Sequence, residues 1–435
     1  MSDDPSLAGA DPAHALKEPA SDAARPAARR DFRLLWLGQS VSLFGDQFML
    51  IALPLLAVIV LDIPVAEAAL LPFAFKLPFL ILGLPAGAIL DRVRRRPTLI
   101  FAQFIQFTTC LIIAILAAVG TLSFWMLMAL TLINGTFTVF FQIAYTSFVP
   151  ALFSDTGSLQ RANARLELSE SVSRSAGPMS VGPLIAVTGP VGAIFANSAS
   201  FLVSMATLLA IRKREPAPSA PPRERGWLVK DVREGLRFVV RHPLLEPIMS
   251  CGTVYVTFQS IIMTILVLYC AEVLQLGYVA IGLVVGAAAL GYPIGNLASS
   301  RVAEKIGSVR AVVLGATVSV TGFIIMPIAG SAGSAIGLVA GSIVHGIGEG
   351  TFGPTWLTIR QTVTPERLLG RANSVERFLL WGAVPLGSLL SSVLISLVGL
   401  PATFWIGALG TALCLPPLVR RGVLSAVRPS KTPAD

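Results

Sequence analysis

Charge is scarce in this chain. Only 13% of its 435 residues are Asp, Glu, Lys or Arg, while 54% are hydrophobic. A soluble domain carries roughly a quarter charged residues, and a soluble fold of this length has too little interior to hide so much apolar surface. Histidine is scarcer still. His14, His242 and His345 are the only three and stand far apart, so no clustered metal or nucleophile constellation points to an enzyme or a cofactor. Cys110, Cys251, Cys270 and Cys414 lie singly in apolar runs without CxxC spacing, which argues against a disulfide or zinc framework and for packing roles. Residues 1–30 lack the apolar core of a secretory signal. Polar and rich in Ala, Pro and Asp, they are expected to form a disordered cytoplasmic tail.

What is present is long apolar runs, each near the 20 residues that cross a bilayer as a helix. Twelve are expected, at 34–61, 69–90, 98–119, 123–152, 165–188, 190–211, 244–274, 277–299, 309–330, 333–359, 373–398 and 401–419. They are continuous rather than alternating, so helices and not a barrel are expected. The net charge of +9 is no sign of nucleic acid, because the basic residues occupy alternate gaps only. Arg92, Arg94, Arg95 and Arg96 follow the second run, and Arg301, Lys305 and Arg310 surround the gap after the eighth. The intervening gaps have no Lys or Arg. By the positive-inside rule both termini are cytoplasmic in a multi-pass plasma or inner membrane protein.

The chain also repeats itself. Gly83-Leu84-Pro85-Ala86-Gly87 recurs as Gly291-Tyr292-Pro293-Ile294-Gly295. Arg161-Ala162-Asn163 recurs as Arg371-Ala372-Asn373, Gly189 matches Gly399, and Asn134-Gly135 resembles His345-Gly346. Two six-helix bundles of the same orientation follow, at 31–211 and 243–421, related by a pseudo-twofold axis along the membrane normal. That arrangement puts a substrate site between them near the midplane. A cytoplasmic linker at 212–242 joins them and a tail at 422–435 ends the chain. In the linker Leu228, Val232, Leu236 and Val239 recur at helical spacing. They define an amphipathic helix that lies on the inner leaflet or packs on the protein itself.

Twelve runs, the duplication, the long central loop and the stretch around Gly87, Asp91, Arg92, Arg95 and Arg96 resemble the major facilitator superfamily. That resemblance implies an all-α fold with alternating access, and a role for the loop as a latch between the halves. Arg94 departs from the family pattern, which has glycine there. Phe32-Arg33-Leu34-Leu35-Trp36-Leu37-Gly38-Gln39-Ser40 with Gly45-Asp46-Gln47-Phe48 resembles the macrolide-efflux and enterobactin-exporter branch. Gly177, Pro178 and Gly182 resemble the exporter motif, with Val181 in place of one glycine. The resemblance implies a monomer in the lipid bilayer that exchanges protons for a hydrophobic, drug-like or siderophore-like small molecule. An uptake permease, or a non-transporting sensor or assembly partner, is the alternative.

Ionisable residues inside a span are expensive and mark candidate sites. Asp46 and Lys76 fall at matching depths on consecutive spans and are expected to pair, as a proton-titratable site or as a structural ion pair. Glu170 and Arg174 are four apart on the fifth span, on one face. They line a polar cavity or close a gate, with Glu376 in the eleventh span as a counterpart. His345 and Glu349 are four apart on the tenth and suit a proton relay. Phe137, Phe140, Phe141, Tyr145, Tyr255 and Phe258 are candidate cavity aromatics.

Overall fold

The computed structural model describes residues 24–90, 93–153, 155–212 and 227–419. Helices dominate and no strand occurs among these residues. Eleven helices are long and apolar enough to cross a membrane, one fewer than the expected runs. The difference lies in a single helix, Thr156–Ala210, of 55 residues. Straight, it would reach about 80 Å, far beyond one bilayer core. It breaks at Gly189, where φ is 72° and ψ 172°, and so supplies both the fifth and the sixth span.

The other spans lie close to their expected places. The first is Ala24–Leu55, extended by a π-helical turn at Leu56–Val60, and it begins inside the stretch expected to be tail. The second is Leu71–Leu90, preceded by a short turn at Val65–Ala68. The third is Arg95–Ala118 and the fourth Phe124–Leu152. In the second half the seventh span is Leu245–Glu272, and the eighth is Tyr278–Gly286 continued by Ala288–Ile306. The ninth is Ser308–Ser331, the tenth Ala335–Val363 and the eleventh Glu366–Val398. The twelfth runs through Leu400–Thr411 to Leu415–Leu418.

The duplication is visible in the backbone. Gly399, at the eleventh-to-twelfth turn, has φ 80° and ψ 168°, matching Gly189. Gly120 and Gly333 have φ 72° and 67°, and Asp62 and Gln275 have φ 51° and 50°. Each pair closes the same turn of its half on the side without arginines. The values at Gly189 and Gly399 fall in a region open essentially to glycine alone, so a Cβ there costs about 1–3 kcal/mol. Gly189→Ala and Gly399→Ala should each lower the thermal unfolding midpoint of the purified protein, and the double variant should lower it further.

Within each half, glycines set how close helices come. A Cβ on Gly135 would stand 2.1 Å from the Phe75 carbonyl oxygen, and one on Gly346 would stand 1.9 Å from that of Ala288. The fourth span therefore touches the second, and the tenth the eighth, backbone to backbone. Gly291 and Gly295 sit equally tightly on the carbonyls of Ile343 and Ile347. Their first-half counterparts, Gly83 and Gly87, have open space around the Cβ position. The repeated glycine phrase thus packs helices in the second half only.

The most extensive contacts between the halves are a symmetry-related pair, the fifth span on the eighth and the eleventh on the second, and the first span also touches the seventh. Between the fifth and eighth, a Cβ at Gly182 would fall 2.6 Å from the Tyr278 carbonyl oxygen, and one at Gly282 would fall 2.7 Å from that of Pro178. Between the eleventh and second, Ser392 Oγ donates to the Ala66 carbonyl at 2.6 Å, and the Phe79 and Trp381 rings lie 5.2 Å apart. The Gly182–Tyr278, Gly282–Pro178 and Ser392–Ala66 contacts lie toward the arginine-free ends of these spans, and the Phe79–Trp381 contact lies near mid-span. Toward the arginine-rich side, Glu170 and Arg174 on the fifth span are 42% and 71% exposed. The space between the halves opens on that side.

The linker helix Trp227–Arg241 packs against the eleventh and seventh spans, with Val239 buried. Of the two placements left open by the sequence, packing on the protein is therefore present. His242 Nδ1 then accepts from the Leu244 and Leu245 amides at 3.3 Å and closes the start of the seventh span. Burial holds this imidazole below its ordinary titration range, in the neutral form able to accept.

Candidate functional site between the halves

Asp46 reaches the interior because the first span is seated tightly on the sixth. A Cβ on Gly45 would stand 2.1 Å from Ser200 Oγ, and the next residue along is Asp46. The Gln47 side chain fills the notch at Gly177 of the fifth span. Lys76 projects from the second span with Nζ 5.1 Å and 4.9 Å from the ring centroids of Phe75 and Phe79, within cation–π reach. Asp46 and Lys76 are each half-buried and feel one another's charge. No ion pair joins them among the described residues, contrary to the expected pairing. The aromatic faces take over part of the compensation that a carboxylate would give the ammonium.

Arg174 Nη2 donates to Glu170 Oε1 at 2.5 Å, the one-face pair expected from the spacing. Arg174 also acts electrostatically on Lys76. On Tyr292 of the eighth span it acts together with Glu349 and Glu167. Charges from the first, second, fifth and tenth spans thus share one electrostatic environment across the gap between halves. A mixed acidic and basic lining amid apolar walls suits amphipathic ligands.

His345 is 2% exposed and Glu349 39%. His345 Nε2 lies 3.4 Å from Glu349 Oε2, and Nδ1 lies 2.8 Å from Ser319 Oγ on the ninth span. Ser319 Oγ in turn lies 2.6 Å from the Tyr255 hydroxyl of the seventh. The sequence pointed to His345 and Glu349 as a pair, and to Tyr255 separately as a cavity aromatic. Ser319 carried no signal, because a serine in an apolar span is ordinary.

Other expected site residues serve packing or capping. Arg96, read as part of a latch between halves, donates from Nε to the Leu208 carbonyl at 3.1 Å and from Nη2 to that of Leu209 at 2.9 Å. It caps the end of the sixth span in its own half, where a cation meets the negative helix terminus. Arg95 begins the third span. Asp91 and Arg92 lie outside the described residues. Glu376 pairs with Arg360 of the tenth span and accepts from Trp356 Nε1 at 3.1 Å, all within the second half. It thereby ties two helices of one bundle together. Phe137 packs on Phe101, and the Phe258 ring occupies the notch at Gly410. Phe141 stacks on Tyr145, with centroids 5.9 Å apart.

Two six-helix halves, joined through the fifth–eighth and eleventh–second contacts with exposed charges toward the arginine-rich side, have the arrangement in which transporters hold a site between repeats. The profile of a family described as transmembrane secretion effector matches residues 21–423. The chain therefore belongs to that family, within the major facilitator superfamily and its efflux branch. It is 26% identical over 376 residues to the multidrug efflux pump Tap of Mycolicibacterium fortuitum, covering 83% of this chain and 87% of the pump. It is 27% identical over 302 residues to the enterobactin exporter EntS of Escherichia coli, covering 67% and 68%. Among solved structures, a bacterial homologue of the iron transporter ferroportin in its inward-facing state superposes with a TM-score of 0.71, at 17% identity and covering 90% and 98%. The outward-facing state of such a homologue gives 0.55.

Proposed function

We propose that this chain exports hydrophobic or amphipathic small molecules across the plasma membrane by alternating access, in exchange for protons, as a monomer. The carrying observation is the charged gap between the halves, open on the arginine-rich side. That side is cytoplasmic by the positive-inside rule, with both termini there, so the gap faces the compartment from which an exporter loads. The efflux relatives support the outward direction. The iron of the structural neighbour is not carried over: among the described residues no three His, Cys, Asp or Glu gather as a metal site.

The test is flux in proteoliposomes holding the purified protein, with and without an imposed proton gradient. The cargo panel is ethidium, a macrolide and a catecholate siderophore. Gradient-driven movement of at least one cargo, antiparallel to protons, is expected. Cargo moving with the protons would instead establish an uptake permease.

A further inference from the structure

The repeat builds one buried joint twice. In the first half Asn134 Nδ2, on the fourth span, donates to Thr109 Oγ1 on the third at 3.0 Å. In the second half, at equivalent places, His345 of the tenth span meets Ser319 of the ninth at 2.8 Å. Asn134 and His345 are both almost fully buried, at 3% and 2% exposure, and each precedes one of the tight-contact glycines, Gly135 and Gly346. Further glycines bring the ninth and tenth spans together: a Cβ on Gly348 would fall 2.2 Å from the Ser319 amide nitrogen. The first copy cannot change its charge. The second can, and it is extended at both ends, to Glu349 on the cavity side and to Tyr255 on the seventh span.

We propose that the exchanged proton is held on this second-half joint, at His345, with Ser319 and Tyr255 as positioning residues, while the Asn134–Thr109 joint is its permanently neutral counterpart. The proposal rests on the proton-exchange reading above. The hydrogen-bond inventory explains how it works. With the ring neutral, the Tyr255 hydroxyl donates to Ser319, Ser319 donates to His345 Nδ1, and Nε2–H donates to the Glu349 carboxylate. Every member is satisfied. One proton taken from cavity water makes both ring nitrogens donors. Ser319 must then turn its own proton away from the ring and accept from both Nδ1–H and the Tyr255 hydroxyl, which keeps its donor role. The imidazolium gains the facing carboxylate. Three spans register the event, because the reversing hydroxyl of the ninth stands between the ring of the tenth and the hydroxyl of the seventh.

The surroundings of His345 are few. Phe323 of the ninth span stacks on the ring at 4.0 Å. Glu349 is on its own span, and Tyr255 on the seventh has the thiols Cys251 and Cys414 within electrostatic range. From the eighth span, Tyr292 shares the field of Glu349 with Arg174 and Glu167 of the fifth. No lysine or arginine is hydrogen-bonded or ion-paired to the ring among the described residues.

His345→Asn writes the first-half joint into the second half and so provides a variant built to fold. The chain has only three histidines, so imidazole ¹⁵N spectra of the full-length protein in nanodiscs read each ring, and His345→Asn assigns the signal. As the pH falls from about 8 to about 5 the His345 signal should pass from neutral to charged. Ser319→Ala and Tyr255→Phe should move its midpoint. In proteoliposomes His345→Asn should keep gradient-free ethidium equilibration and lose about tenfold or more of the gradient-driven flux. A His345 ring that stays in one state throughout, or a His345→Asn variant with full gradient-driven flux, overturns the proposal. If the native protein moves no cargo under either condition, the export reading fails, and the spectra alone decide the proton site.

Discussion

Gly346→Ala should sharply destabilise the transporter, and Gly346→Leu should prevent its assembly. The ideal Cβ position lies 1.9 Å from the Ala288 carbonyl oxygen and 2.8 Å from its carbon, far inside contact distance, and the obstacle is backbone. No side-chain rotation can make room, so the eighth and tenth spans must separate. Overpacking of this kind costs about 1–3 kcal/mol and occasionally more. At about 2–4 °C per kcal/mol for a unit of 150–250 residues, the alanine variant should lose several degrees of thermal midpoint in detergent. Gly135→Ala meets the Phe75 carbonyl in the same way and should show a comparable loss. Gly83→Ala and Gly87→Ala have free space at the Cβ and should leave the midpoint where it is. If those two variants are as damaging as the first pair, steric contact is not the cause.

Asp46→Asn at unchanged expression should cut ethidium transport by about tenfold, or roughly 1.4 kcal/mol of interaction, with and without a proton gradient. The reasoning is electrostatic. Lys76 sits inside the membrane with aromatic faces beside it and Asp46 as the acidic group acting on it. Neutralising Asp46 leaves an ammonium less compensated in a place where charge is expensive. The double variant Asp46→Asn with Lys76→Met separates two roles. Recovery means that the couple only balances charge. Continued failure means that the Asp46 carboxylate itself engages the cargo. The contrast with His345→Asn is direct, because that change should spare transport in the absence of a gradient.

The sequence revealed the architecture because membrane insertion leaves a coarse, one-dimensional record. Span length, apolar continuity and the alternation of arginine-bearing gaps require no long-range contact, and the run ends agree with the helices to within several residues at most places. The Gly189 turn, predicted as a boundary between two runs, is a reversal inside one continuous helical stretch, and its match to Gly399 came from the repeat alone. Pairings between spans were harder to read. Equal depth put Asp46 and Lys76 together, but depth says nothing about rotation about the helix axis, and Phe75 and Phe79 took the ammonium. Arg360 stands one residue past the expected end of the tenth run, and only the fold brings it to Glu376. Spacing of four on one helix did predict Glu170–Arg174 and His345–Glu349, because that geometry is local. Asp91 and Arg92, the most family-like residues of the chain, fall where the structure describes nothing.

Arg96 carries a mechanical consequence. Through the Leu208 and Leu209 carbonyls it ties the start of the third span to the end of the sixth. Asp31, at the base of the first span, accepts from the Arg212 amide just beyond that same end at 3.3 Å. Three corners of the first bundle are thus stapled on its arginine-rich rim, at the point where the central linker departs. A pull along that linker is delivered to a braced body rather than to one loose helix. If the halves move as proposed, the first half is braced to swing as a unit, like a door hung on a stiff frame, with the give at the glycine seam between the fifth and eighth spans and on the Phe79–Trp381 side opposite.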